Sequence, residues 1–249
     1  SSSKQWATAY DFDNLNSGAA LKVELPNGSI APTQSFIFNL RREKFQDPRV
    51  REAIGLMFNF EWSNQTLFYG LYARVQSFFQ LTAMEAKGPA TPEEAAILQP
   101  LIDQGLLDAS ILTADTVTPP LSNLEANLDR GNLRRASALL DAAGWLPGDD
   151  GMRKNAKGEP LSVEFLNASP AFERIISPYV ENLRALGVDA VLNTIDPAQF
   201  SERTSPPNFD FDMITANPVN SYEPGAEMKQ GYASVTRDNS TRNRMGLAN

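Results

Sequence analysis

QSFIFNLRREKFQDPRVREAIGLMFN, residues Gln34 to Asn59, is the stretch on which the fold turns. Phe36, Phe38 and Leu40 alternate with Ser35, Ile37 and Asn39, a period of two that predicts a strand over 34–42 with one face in a core. The strand closes on Asn39-Leu40-Arg41-Arg42. Asp47 then stands where a carboxylate accepts from the orphan amides of a first helical turn. Pro48 supplies the fixed φ of the first helical position. Val50, Ala53, Ile54, Met57 and Phe58 recur on one face of the helix that follows, predicted over 47–58.

Outward from this unit the chain turns regular again at Asn132. That residue is placed to cap a helix in which Leu133, Ala136, Leu140 and Ala143 share a face and which Gly144 ends. Gly148-Asp149-Asp150-Gly151 and Lys157-Gly158 punctuate a hairpin, and Leu161, Val163 and Phe165 alternate as a strand. Ser169-Pro170 opens a strongly amphipathic helix carrying Phe172, Ile175, Ile176, Tyr179, Val180, Leu183 and Leu186. Pro178 inside it predicts a kink or a break. Strands follow at 188–195 and 209–216, joined by a short helix from Asp196-Pro197. The order β-α…α-ββ-α-β-α-β predicts α/β layers on a mixed sheet flanked by helices.

Between the two regular regions the reading is less ordered. A second helix is expected over 61–70, with Trp62, Leu67 and Phe68 partly buried. Residues 76–131 read as an irregular excursion containing one short amphipathic helix. Thr91 caps it, Pro92 takes its first position, and Glu93-Glu94 suit the positive end of its dipole.

The residue inventory excludes several functions. Of the 249 residues, 42% are hydrophobic, so a core is affordable, and 22 basic against 30 acidic residues leave a net charge of −8. That balance argues against a nucleic-acid partner and against anionic membranes. With no cysteine and no histidine, thiol nucleophiles and histidine-based triads are unavailable. No cofactor is expected. Asp149, Asp150 and Asn155 lack the ligand spacing of a calcium loop and read as a hairpin turn.

Three further segments carry a resemblance. LLDAAGW (Leu139 to Trp145), DGMRKNAKGEPL (Asp150 to Leu161) and LRALGVDAVL (Leu183 to Leu192) stand in the same order as FNLRREKFQDPRVREAI before them. Together they resemble the extracellular solute-binding proteins of the peptide/nickel class, and Phe58 to Phe79 looks like the YejA-like oligopeptide-binding subgroup. The resemblance implies one lobe of a two-lobed type II periplasmic binding protein that serves an ABC importer and is not an enzyme. It implies a peptide or peptide-like ligand, ABC permease subunits as partners, and a first lobe lying outside this chain. It also implies a periplasmic location, with an export signal upstream. On that reading 1–33 is a hinge-proximal segment, 34–216 the core of the second lobe, and 217–249 a cleft loop and return segment.

Candidate binding residues follow from this frame. Arg41, with Asn39 beside it, ends a strand directed at a cleft, where a guanidinium suits a ligand carboxylate. Phe78 and Phe79, in an irregular segment, are candidates for a pocket wall. Phe209 to Pro224, FDFDMITANPVNSYEP, supplies Asn217, Asn220, Ser221, Tyr222 and Glu223. In the resembling family this loop commonly carries an aspartate for a peptide's α-ammonium. Ser221 occupies that register here, leaving Glu223 as the nearest carboxylate. Two alternatives stay open: a protein-interaction module without a small ligand, and a hydrolase lacking histidine.

Overall fold

A computed structural model describes residues 3–25, 33–116, 118–217 and 224–248. Two short helices, α1 (Ser3–Thr8) and α2 (Asp13–Asn16), precede the strand β1 (Ser35–Phe38). Helices α3 (Pro48–Leu56), α4 (Phe60–Leu67), α5 (Pro92–Asp103) and α6 (Arg130–Ala142) follow. A hairpin of β2 (Leu146–Pro147) and β3 (Arg153–Lys154) then leads into β4 (Ser162–Asn167), α7 (Pro170–Ala185) and β5 (Asp189–Thr194). The chain continues through α8 (Pro197–Arg203), β6 (Met213–Ala216) and α9 (Ala226–Tyr232).

The main sheet has the order β1-β6-β4-β5. β4 runs parallel to β5 and β6, whereas β1 is antiparallel to β6, so the sheet is mixed as expected. Its first strand is shorter than the alternation suggested, ending at Phe38 rather than residue 42. The cause is Asn39, which is fully buried and turns its amide to the carbonyls of Phe209 and Phe211 at 2.8 and 2.9 Å. Nor is only one face in a core. Phe36, Phe38 and Leu40 pack on the main cluster, while Ile37 joins Leu166, Phe209, Phe211 and Ile214 on the opposite face.

The main core lies between the sheet and helices α3, α6 and α7. Val50, Ala53 and Ile54 of α3 meet Ala136 and Leu140 of α6, Val163 and Phe165 of β4, and Ile176, Tyr179 and Leu183 of α7. Each large side chain so buried contributes about 1.5–3 kcal/mol of transfer free energy. Polar groups inside the layer are matched: Asn182 Nδ2 donates to the Met57 carbonyl at 2.9 Å, and the Tyr179 hydroxyl donates to that of Ile54 at 2.9 Å.

The caps of α3 and α5 form as their residues dictate. Asp47 accepts from the Arg49 amide at 2.8 Å, and Thr91 and Glu94 build a reciprocal capping box. Two helix expectations need correction. Asp129, not Asn132, caps α6, accepting from the Gly131 and Asn132 amides at 2.7 and 3.0 Å. Asn132 lies inside the first turn, buried, and donates to the Leu121 carbonyl and the Ser122 hydroxyl. Helix α7 also runs unbroken through Pro178. Burial of Ile175, Ile176, Tyr179 and Val180 around that proline holds the helix together where propensity alone would interrupt it.

The last strand is likewise shorter than 209–216, starting at Met213, and the aspartates before it are held by cations. Asp210 pairs with Arg42 at 2.6 Å, and Asp212, nearly buried, pairs with Lys44 at 2.7 Å while accepting from the Glu164 amide at 3.0 Å. The C-terminal segment returns to the same corner. Asn243 is fully buried and holds the Gly246 and Leu247 amides, and the Met245 carbonyl accepts from the Leu40 amide at 2.7 Å.

Candidate functional site

A partly open cavity of about 600 Å³ lies where β6 ends and β1 begins. This is the carboxyl end of the parallel strands, the side on which open α/β sheets present ligand crevices. The cross-strand pairs Phe36–Thr215 and Phe38–Met213 give its floor, since residues opposite each other across a ladder share one face. Phe172, Ile175 and Tyr179, spaced three and four apart, line it from α7. Leu56, Phe58 and Phe60 line it from the α3–α4 junction, and segments 72–75 and 119–122 complete the enclosure.

The aromatic wall is ordered by edge-to-face packing. Phe36 meets Phe58 at 5.1 Å, Tyr179 at 5.3 Å and Phe165 at 5.8 Å between ring centroids. Burial without an anionic partner pushes the Tyr179 phenol well above its ordinary range, so it acts here as a neutral donor to Ile54.

Polar groups are few and sit at the strand ends and in the covering segments: Gln34, Ser35, Thr215, Asn217, Ser122 and Arg74. Arg74 is the charged side chain among the described lining residues. Its Nε and Nη2 donate to the two oxygens of Glu61 at 2.5 and 2.7 Å, and its guanidinium lies 4.9 Å from the centre of the Phe60 ring. Glu61 Oε2 also accepts from the Ser122 amide at 2.9 Å. Burial pushes the Glu61 carboxyl up, but the Arg74 hydrogen bonds and the Ser122 amide outweigh it, holding the group below its usual range. The pair thus ties α4 to both covering segments.

The residues singled out from sequence fall into three groups. Asn217 lines the cavity. Asn220, Ser221, Tyr222 and Glu223 lie outside the described residues. Asn39 and Arg41 stand on the far side of the strand end and hold the loop entering β6. The Arg41 guanidinium stacks 3.7 Å over the Phe209 ring, pairs with Asp238 at 3.0 Å and donates to the carbonyls of Arg237, Asn243 and Arg244. Its donors are thereby committed within the chain. Phe78 packs edge-on against Phe79 and Tyr232 at 5.1 and 5.3 Å, and neither phenylalanine is a lining residue of the cavity.

Arg74 and Glu61 were not singled out from sequence. The only local signal was an arginine within an aromatic run, FYGLYARVQSFF, and nothing in the spacing pairs it with a residue thirteen positions earlier. Among the described residues no cluster of three or more carboxylates has the arrangement to hold a metal ion.

Comparison with known proteins places this architecture. The family model for bacterial extracellular solute-binding proteins, family 5 (middle), matches residues 2–240. A probable peptide-binding protein YejA of Agrobacterium fabrum is 37% identical over 251 residues, covering 100% of this chain and 40% of that protein. The oligopeptide-binding protein AppA of Bacillus subtilis, solved with a nonapeptide, superposes with a TM-score of 0.61 at 17% identity, over 87% of this chain and 36% of AppA. The unliganded open form of the periplasmic murein tripeptide-binding protein MppA gives 0.57 at 16% identity, over 99% of this chain and 38% of MppA. The chain thus spans about two-fifths of the length of the curated relatives it matches. The two superpositions establish a shared fold. The chain belongs to the bacterial extracellular solute-binding proteins of family 5.

Proposed function

We propose that this member of family 5 forms one lobe of the solute-binding component of an ABC importer, capturing oligopeptides or peptide-like compounds in the periplasm for delivery to a membrane permease. The observation that carries the reading is the cavity of about 600 Å³ at the carboxyl end of the sheet, aromatic-walled with a few convergent polar groups. The peptide-binding designation of the Agrobacterium relative supports it, as do the nonapeptide of AppA and the murein tripeptide named for MppA.

In this reading 34–216 is the lobe's core, 1–33 the hinge-proximal entry, and 217–249 the cleft loop and return. Asn217 contributes hydrogen bonds to the solute from the cavity edge, and Asn220, Ser221, Tyr222 and Glu223 are proposed as further ligand contacts. Phe78 and Phe79 provide apolar surface beside it. Asn39 and Arg41 serve the site indirectly, by bracing the segment that enters β6. A lobe outside this chain supplies the opposing contacts. Closure around the solute is then stabilised by contacts made only when both faces engage, with no covalent bond altered.

Mass spectrometry of small molecules released from the purified full-length protein tests the proposal. Peptides or peptide-containing fragments are the expected finding. Recovery of a non-peptide solute in stoichiometric amount contradicts the assignment.

A further inference from the structure

We propose that Arg74 is a specificity-determining residue which anchors a carboxylate of the bound solute, with an apolar residue of that solute packed against the aromatic wall. The inference rests on the solute-binding reading above and adds the chemistry of the group recognised. Side-on pairing with Glu61 uses Nε and Nη2 of the guanidinium at 2.5 and 2.7 Å. Among the described residues Nη1 has no protein acceptor, although the side chain is only 14% exposed and lines the cavity.

The surroundings fix what such a donor recognises. No other described lining residue is charged: the walls are aromatic and aliphatic, with hydroxyls and amides at the strand ends. An apolar wall beside one under-used cationic donor suits an apolar group carrying an anionic acceptor. A peptide ending in a hydrophobic residue with a free α-carboxylate has that chemistry. Glu61 holds the guanidinium plane in place, so Nη1 is presented without the entropy cost of fixing a free arginine. A charge-assisted hydrogen bond out of bulk water is also among the stronger polar contacts.

The test uses the intact protein and two peptide pools. Both pools are tripeptides degenerate at the first two positions and ending in Leu, Phe or Tyr, one as free acids and one as C-terminal amides. The affinity ratio of acid to amide is measured in the wild type, in Arg74→Lys, and in the double variant E61Q/R74M. The double variant removes both charges together and so leaves no unpaired buried carboxylate. The proposal expects the wild type to prefer acids by about tenfold or more. It expects Arg74→Lys to weaken that preference and the double variant to bring the ratio near one with the melting temperature retained.

Equal binding of acids and amides by the wild type overturns the inference while leaving peptide capture intact. So does an acid preference that survives in the double variant. Failure of the wild type to bind either pool overturns the peptide reading and this inference with it.

Discussion

The Asn39 side-chain amide donates 2.8 Å to the carbonyl of Phe209, 170 residues further along the chain, and 2.9 Å to that of Phe211. Its own carbonyl accepts from the Arg41 amide at 3.2 Å. One fully buried side chain therefore joins the exit of β1 to the entry of β6, at the end of the strand pair away from the cavity. Phe209 adopts a φ of 40°, a conformation rare for a bulky residue and one that needs such external support. Asn39→Ala leaves the Phe209 carbonyl without this donor and that of Phe211 with only the longer bond from Arg42 Nε at 3.2 Å, and is expected to cost about 1–3 kcal/mol. Urea denaturation of wild type and variant reads that loss directly.

Gly187 and Gly144 separate a close backbone approach from a simple left-handed turn. Both end helices at positive φ, 90° and 85°. A Cβ on Gly187 would lie 2.5 Å from the Gly151 carbonyl oxygen, whereas one on Gly144 meets nothing within 4 Å. Gly144→Ala is expected to cost only the conformational penalty, about 1–2 kcal/mol. Gly187→Ala is expected to cost more and to disturb the β2–β3 hairpin, visible as loss of amide protection around Gly151 and Arg153.

Acid should weaken the fold through Glu61 and Asp129. Burial raises both carboxyls. The Arg74 and Ser122 hydrogen bonds outweigh it for Glu61, and the Asn132, Asn123 and Gly131 amides do so for Asp129. Folded values below unfolded ones mean that the stabilisation is complete above about pH 4 and lost as pH falls through the folded values. The urea midpoint should hold from pH 7 to about 5 and then fall. Asp129→Asn should shallow that decline by removing one contributor.

Tyr179 reports the opposite limb. Burial raises its phenol far above the unfolded value of about 10, so the unfolded state loses its proton first as pH rises. Stability should therefore decline above about pH 10, and Tyr179→Phe should reduce that slope. At neutral pH the same variant should cost about 0.5–1.5 kcal/mol, because the Ile54 carbonyl loses the tyrosine donor and keeps only the Met57 amide.

Local chemistry made much of the scaffold legible. Asp47-Pro48 and Thr91-Pro92 declare helix starts because caps act within one turn, and the alternation of Leu161, Val163 and Phe165 declares a strand whose inward face is fully buried. The departures came from contacts far apart in sequence. Asn39 and Asp212 take partners some 170 residues away that no local pattern announces, and Asp129 displaced Asn132 as a cap because Leu121 and Ser122 claim the asparagine. The candidate site was less legible for the same reason. Asn217 follows a recognisable strand, but Arg74 gains its meaning only from Glu61 and from a cavity whose walls come from six separate stretches of chain.

Whether this chain is one half of a solute clamp is decided by titration calorimetry of a peptide recovered from the full-length protein, against that protein and against the 249-residue chain alone. The full-length protein should bind with micromolar or tighter affinity, and the isolated chain more weakly by about a hundredfold or more, a loss of about 2.7 kcal/mol. Submicromolar affinity in the isolated chain, or equal affinity in both, would contradict the clamp.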